Sequence, residues 1–364
     1  MLIDYQNCLV NLSCSILKYF GAEHKHCTLK VIDTLLEKDY KNVVILLLDG
    51  LGMDALRYHL DENSFFRTHL LDEYSSVFPP TTTAATTSLE SGLTPLEHGW
   101  LGWSLYFSEI DKIVNAFINT EKDTDIQARE YHVARNFIPY KTVYEKINET
   151  GNAKAYSVSK FGSNPIHTFD ELTNEIVRLC NSADKNYIYG YWETPDSLMH
   201  YFGCYHSIVT ENIKELEEKI EEMCARLSDT LVLVTADHGH INLKNYQLSD
   251  YPKILSMLKR PISIETRATA FYVKEEYMKE FPREFHKNFE DDFLLYSKSE
   301  VIEQHLFGFG EMHPRFEEFI GDYIAIAIGD KGIVYSPKSN QFLSNHAGMT
   351  EQEMRIPIIA INIQ

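Results

Sequence analysis

Apolar positions along the chain alternate between a helical and an extended period. Leu9, Val10, Leu12, Ile16, Leu17 and Phe20 recur near the helical spacing and predict a helix over residues 7–20, stopped at Gly21. A second short helix is predicted over 31–36. Residues 42–48, Asn-Val-Val-Ile-Leu-Leu-Leu, then form an unbroken apolar run, as a strand buried on both faces of a sheet does. Further strands are predicted at 153–158, 187–192, 230–236, 268–273, 323–327 and 355–361, and helices at 84–90, 140–147, 171–180 and 211–227. Residues 105–140 give only weak signals. Strands alternating with helices in this way specify an α/β fold with a mostly parallel central sheet.

With 364 residues, 44% of them hydrophobic, the chain can bury a large core. The pattern divides it into an α/β catalytic core, residues 1–240 with 341–364, and an insertion or cap, residues 241–340. The formal net charge of -19 argues against non-specific nucleic-acid binding and against attraction to a membrane surface. An anionic substrate would need a local positive centre, which metal ions supply. The N-terminal stretch has neither a basic region nor a long apolar one, so it does not read as a signal peptide, and no stretch has membrane-span length. Six cysteines without CxxC spacing read as reduced thiols of a cytoplasmic protein rather than as a zinc site. None of these patterns specifies an oligomeric state.

Chemistry-bearing residues gather where the apolar strands end. The run 42–48 leads into Asp49-Gly50, the run 187–192 into Asp196 and His200, and the run 230–236 into Asp237-His238-Gly239-His240. Ligands of open α/β sheets bind at the carboxyl ends of the strands. Each residue also has an ordinary reading: Asp49 as a turn residue, Asp196 as a helix cap, His200 as a surface histidine. Asp196 and His200 share a face if Pro195 starts a helical turn. Adjacent Asp237 and His238 reach one point only if the chain leaves the sheet there, which Gly239 permits. His346 lies in a small-residue loop. Thr81-Thr82-Thr83 follow two prolines at a predicted helix start, where threonine ordinarily caps; beside a metal, such a hydroxyl becomes a nucleophile. Trp100 and Trp103 read either as core or as a stacking wall. Asp and His ligands without Cys suit Zn²⁺, with Mn²⁺ or Fe²⁺ as alternatives. Two such ions about 4 Å apart activate a nucleophile and clamp a phosphoryl group.

Taken in order, Leu48-Asp49-Gly50, Phe78-Pro79-Pro80-Thr81-Thr82-Thr83, Gly92-Leu93-Thr94-Pro95 with His98-Gly99, Tyr191-Trp192-Glu193-Thr194-Pro195-Asp196 with His200, Thr235-Ala236-Asp237-His238-Gly239 and His346-Ala347-Gly348 form a specific set. By these motifs the chain resembles the alkaline phosphatase superfamily, in its nucleotide pyrophosphatase/phosphodiesterase-like branch. The resemblance implies a three-layer sandwich with an inserted cap. It implies two metal ions, one on Asp49, Thr82, Asp237 and His238, the other on Asp196, His200 and His346, with Thr82 as nucleophile. It also implies hydrolysis of a small anionic phosphoester, a phosphodiester or nucleotide pyrophosphate, through a phosphothreonine. Thr83, through its backbone N–H, and Trp103 are the expected substrate contacts. A phosphonoacetate hydrolase or phosphomonoesterase of the same superfamily is the alternative, and a non-catalytic metal-binding protein a more distant one. No Lys or Arg lies between Pro79 and Trp103 to hold the extra charge of a monoester, which favours diesters. Arg267 is the residue that would supply such a cation from the insertion.

Overall fold

The computed structural model describes residues 3–335 and 342–364. Met1 and Leu2 of the N-terminal stretch, and the predicted border at 340/341, lie outside the described residues.

The apolar run Asn42–Leu48 is buried at every position and stands in the middle of a six-stranded sheet. Its neighbours are Asn186–Trp192 and Thr230–Thr235, both parallel to it. Lys154–Val158 continues the parallel order on one side. On the other, Arg355–Ile363 runs antiparallel between Thr230–Thr235 and the edge strand Leu70–Ser75. Helices pack on this sheet by their apolar stripes, among them Leu9–Tyr19, Phe169–Cys180 and Ser207–Cys224. The register pairs Leu48 with Trp192 and Leu47 with Thr235. Three strands therefore end side by side, and the residues that follow them share one edge.

A second, seven-stranded sheet is antiparallel throughout, in the order Phe293–Ser297, Tyr323–Ala327, Ala268–Phe271, Ser263–Ile264, Ser104–Phe107, Lys112–Asn115, Thr120–Glu121. It joins strands of the segment 241–340 to three short strands from 104–121, a stretch the sequence pattern assigned to the core. The join is one pair, Ile264 with Ser104. Two apolar clusters support this sheet, one around Trp100, Leu105 and Phe107, the other around Phe271, Phe281 and Phe285.

The Thr-rich segment becomes the helix Thr82–Ser91, ended by Gly92 at φ 69. Proline-led Asp196–Phe202 is also helical. A two-residue ribbon pairs Ser344–Asn345 with Ile241–Asn242, which brings the His346 loop against the segment following His240.

Candidate active site

Asp49 leaves its strand into Gly50, whose φ is 76 and whose missing Cβ would sit 2.9 Å from the Asp196 Cβ. That close approach demands glycine. Gly50 also donates its N–H to Asp237 Oδ1 at 3.0 Å, so the ends of two strands are tied together. The Asp237 segment leaves the sheet at Gly239, where an added Cβ would lie 1.9 Å from the Gln352 carbonyl oxygen. The turn brings His238 and Asp237 to one point: His238 Nε2 lies 3.4 Å from Asp237 Oδ2 and 3.4 Å from Asp49 Oδ1. The Thr82 hydroxyl completes the group, 3.2 Å from His238 Nε2 and 3.4 Å from each Asp49 oxygen.

Beside it is a second group. Asp196 Oδ1 lies 2.5 Å from His240 Nε2, 3.4 Å from His200 Nε2 and 3.6 Å from His346 Nε2. The His238 and His346 rings stack at 3.7 Å and link the two groups. Outer contacts fix the imidazoles: His200 Nδ1 on the Ser344 carbonyl at 2.9 Å, His240 Nδ1 on the Ser344 hydroxyl at 3.1 Å, His346 Nδ1 on the Pro80 carbonyl at 3.2 Å. Ring nitrogens held in this way leave Nε2 free to ligate.

Donor atoms of Asp49, Asp237 and His238, and separately of Asp196, His238, His240 and His346, are close enough to share an ion. Two further observations fit divalent cations. Asp237 Oδ2 is buried with no hydrogen-bond partner among the described residues. Burial, with Asp237 and Asp196 nearby, pushes the Asp49 carboxyl well above the usual carboxylate range. Asp196 differs: burial pushes it up, but His200, His240 and His346 outweigh that and hold it low. Burial and His238 push the His346 imidazole well down, and burial takes His240 to about 4, so both are neutral donors at pH 7. Neutral imidazole is the ligating form.

The helix start at Thr82 is open. Thr81 occupies the N-cap yet makes no capping bond; its hydroxyl donates to Glu265 Oε1 at 2.6 Å instead. The first N–H groups of the helix, that of Thr83 among them, have no intrahelical acceptor. The Thr83 side chain is buried and its hydroxyl has no hydrogen-bond partner among the described residues. Trp103 is 37% exposed, whereas Trp100 is core at 4%. Trp103 donates its backbone N–H to Glu265 Oε1 at 2.7 Å, and its ring stacks on Phe117. Thr82, Asp196, His200, His346, Trp103 and Glu265 all line one cleft of about 700 Å³. Lys122 is the only Lys or Arg in its described lining, and its amine donates to the Ile262 carbonyl at 2.8 Å. Arg267 is fully buried and held by both oxygens of Glu353, at 2.6 and 2.7 Å, so it supplies no cation to the cleft.

Sequence reasoning did not single out Tyr191, Glu265 or His240 for roles here. Tyr191 donates its hydroxyl to Asp49 Oδ2 at 2.5 Å. His240 had a readable signal, a second histidine two residues beyond His238; Glu265 had none.

A model of the type I phosphodiesterase / nucleotide pyrophosphatase family matches residues 43–348, most of the chain. The chain belongs to this family. With it, the chain belongs to the alkaline phosphatase superfamily. No curated protein matches it in sequence. Among solved structures, murine ectonucleotide pyrophosphatase/phosphodiesterase 5 is 17% identical with a TM-score of 0.68, covering 87% of each chain. An inactive variant of that protein, in complex with AMP, gives 17% and 0.67 over 89% of this chain and 88% of that one. Phosphonoacetate hydrolase from Sinorhizobium meliloti 1021, in complex with phosphonoformate, gives 13% and 0.65 over 88% and 90%. At such identities the likeness establishes the fold, a family phosphodiesterase core with its central, mostly parallel sheet.

Proposed function

We propose that the chain is a two-metal phosphoric-ester hydrolase that cleaves a phosphodiester or nucleotide pyrophosphate bond through a phosphothreonine on Thr82. The supporting observation is the Thr82 hydroxyl, at an open helix start, within 3.4 Å of Asp49 and His238. Asp49, Asp237 and His238 would hold one divalent ion beside Thr82; Asp196, His200 and His346, with His240, would hold the other. Zn²⁺ suits these donors, with Mn²⁺ or Fe²⁺ as alternatives. When bound, such ions would supply positive charge to neutralise phosphoryl oxygens and to lower the pKa of the Thr82 hydroxyl. Thr82 Oγ1 loses its proton to solvent and forms a bond to phosphorus as the bond to the leaving oxygen breaks. The phosphothreonine keeps the second organic group, and water then cleaves it to free Thr82 and a phosphomonoester carrying that group. The open N–H of Thr83 donates to a phosphoryl oxygen. Trp103 offers an aromatic face to an esterified organic group. Six unpaired cysteines support a reducing, cytoplasmic setting.

Likeness to phosphonoacetate hydrolase supplies a second reading. A phosphonate or monoester carries one more negative charge, and the scarcity of free cations at the cleft weighs against it. The test compares matched p-nitrophenyl mono- and diesters, and phosphonoacetate, in one metal buffer. Higher kcat/KM for the diester is expected; preference for the monoester or phosphonate would move the chain to the second reading. Acid-quenched enzyme should carry on Thr82 a phosphoryl group that still bears the diester's second organic substituent, read by mass spectrometry. Thr82→Ala should lose activity by on the order of 10³-fold or more while keeping its circular dichroism. Near-normal turnover in that variant would overturn the mechanism.

A further inference from the structure

A second cavity, of about 630 Å³, opens beside the same helix. Thr86 and Glu90 lie one and two turns beyond Thr82, so one face of the helix runs from the catalytic group into this chamber. Opposite, alternate residues of the strand Asn186–Trp192 place Tyr189 and Tyr191 in its wall. The chamber adjoins the catalytic cleft: Ile118 lines both, and Tyr191 lines the chamber while its hydroxyl reaches Asp49.

Two groups in this wall are not explained by the fold. The Tyr189 hydroxyl is buried without a hydrogen-bond partner among the described residues. A buried hydroxyl left unpaired costs free energy that phenylalanine would avoid. The Glu90 carboxylate accepts one bond, from the Tyr140 hydroxyl at 3.0 Å. Burial raises it to about 7. Such groups in a cavity wall mark a ligand contact.

The surroundings select the chemistry. Trp100 has its indole N–H committed to the Ile138 carbonyl at 2.7 Å, so it gives the chamber only apolar ring surface. Arg135 opposes the charge of Glu90, and Glu145, also in the lining, is engaged in capping Thr142. A wall of aromatic faces and hydroxyls, in which Arg135 offsets one of the two carboxylates Glu90 and Glu145, disfavours a strongly charged ligand and suits C–H faces bearing several hydroxyls. We propose that this chamber is a binding site for a neutral polyhydroxylated group, a sugar or polyol, that pairs with the Tyr189 hydroxyl and the Glu90 carboxylate. The inference does not depend on ester hydrolysis by Thr82.

The test titrates ribose, glucose, glycerol and myo-inositol, with ethanolamine and acetate as charged controls, by calorimetry. Wild type and Thr82→Ala should bind at least one of the four polyols saturably and equally well. Tyr189→Phe and Glu90→Gln should each weaken that binding at least tenfold. Without ligand, Tyr189→Phe should unfold at the same or a higher temperature, which separates lost binding from lost folding. Competitive inhibition of diester hydrolysis by the bound polyol would assign the chamber to the substrate's own organic group; binding without competition would assign it to a free ligand, and both support the site. Binding of none of the four, unchanged affinity in Tyr189→Phe, or selective binding of ethanolamine would overturn it.

Discussion

Asp49 and Asp237 both approach His238 Nε2 at 3.4 Å, both are buried, and Oδ2 of Asp237 has no hydrogen-bond partner among the described residues. Without a cation, two such carboxylates repel; with one, both become ligands. Asp237→Asn should therefore act with opposite sign in two states. Elemental analysis of the untreated variant should fall from two ions per chain toward one. After chelation, the variant should melt above chelated wild type, because one buried like charge is gone. Glu90 provides a pH test. Burial raises its folded-state value from 4.5 to about 7, with Tyr140 donating to it and Arg135 and Glu145 the charged groups nearby. The folded protein then holds a proton that the unfolded chain has released, so stability falls as pH rises between those values. The melting temperature of Glu90→Gln relative to wild type should rise between pH 5 and pH 8; a flat difference would refute the argument. Asp49, Asp196, Asp237 and His238 were readable as chemistry because each follows an apolar strand that announces itself. Glu265 was not, since its role is set by Thr81, 184 positions away, and nothing local to it signals that contact.

At the scale of elements, the helix Thr82–Ser91 begins without the side-chain cap that its threonines would ordinarily provide. Thr81 is drawn to Glu265. Thr81→Val should therefore disturb activity more than stability, and a loss of several degrees in melting temperature without loss of kcat would contradict that. The turn after Thr230–Thr235 depends on close contact of backbones. Gly239→Ala would set a Cβ 1.9 Å from the Gln352 carbonyl. A cost of about 3 kcal/mol is expected from denaturant unfolding, with reduced metal content, since His238 and His240 flank the glycine. Long apolar strands and stripe-bearing helices were legible because several turns or alternations of one period accumulate in them. The strands Ser104–Phe107, Lys112–Asn115 and Thr120–Glu121 were not: with four, four and two residues they hold too little pattern, and tertiary pairing defines them.

Across the whole molecule, the buried pair Arg267–Glu353 fastens the antiparallel sheet to the segment that carries His346, because Glu353 also accepts the Gly348 N–H at 2.7 Å. Arg267→Met or Glu353→Gln alone should destabilise by about 3–5 kcal/mol, and the double replacement by less than the sum. Full additivity in a double-mutant cycle would show that the pair does not act as a unit. The sequence order of the central sheet has a consequence for how the molecule is made. Its middle strand, Asn42–Leu48, waits for partners near residues 186 and 230, and Arg355–Ile363 inserts between two strands already synthesised. Closure of such distant pairs is slow and leaves apolar edges open meanwhile. A nascent chain halted before residue 346 lacks His346, the last of the expected ligands. The central sheet should thus be completed only after His346 has been made, and chains truncated before residue 346 should accumulate as inactive, chaperone-dependent species.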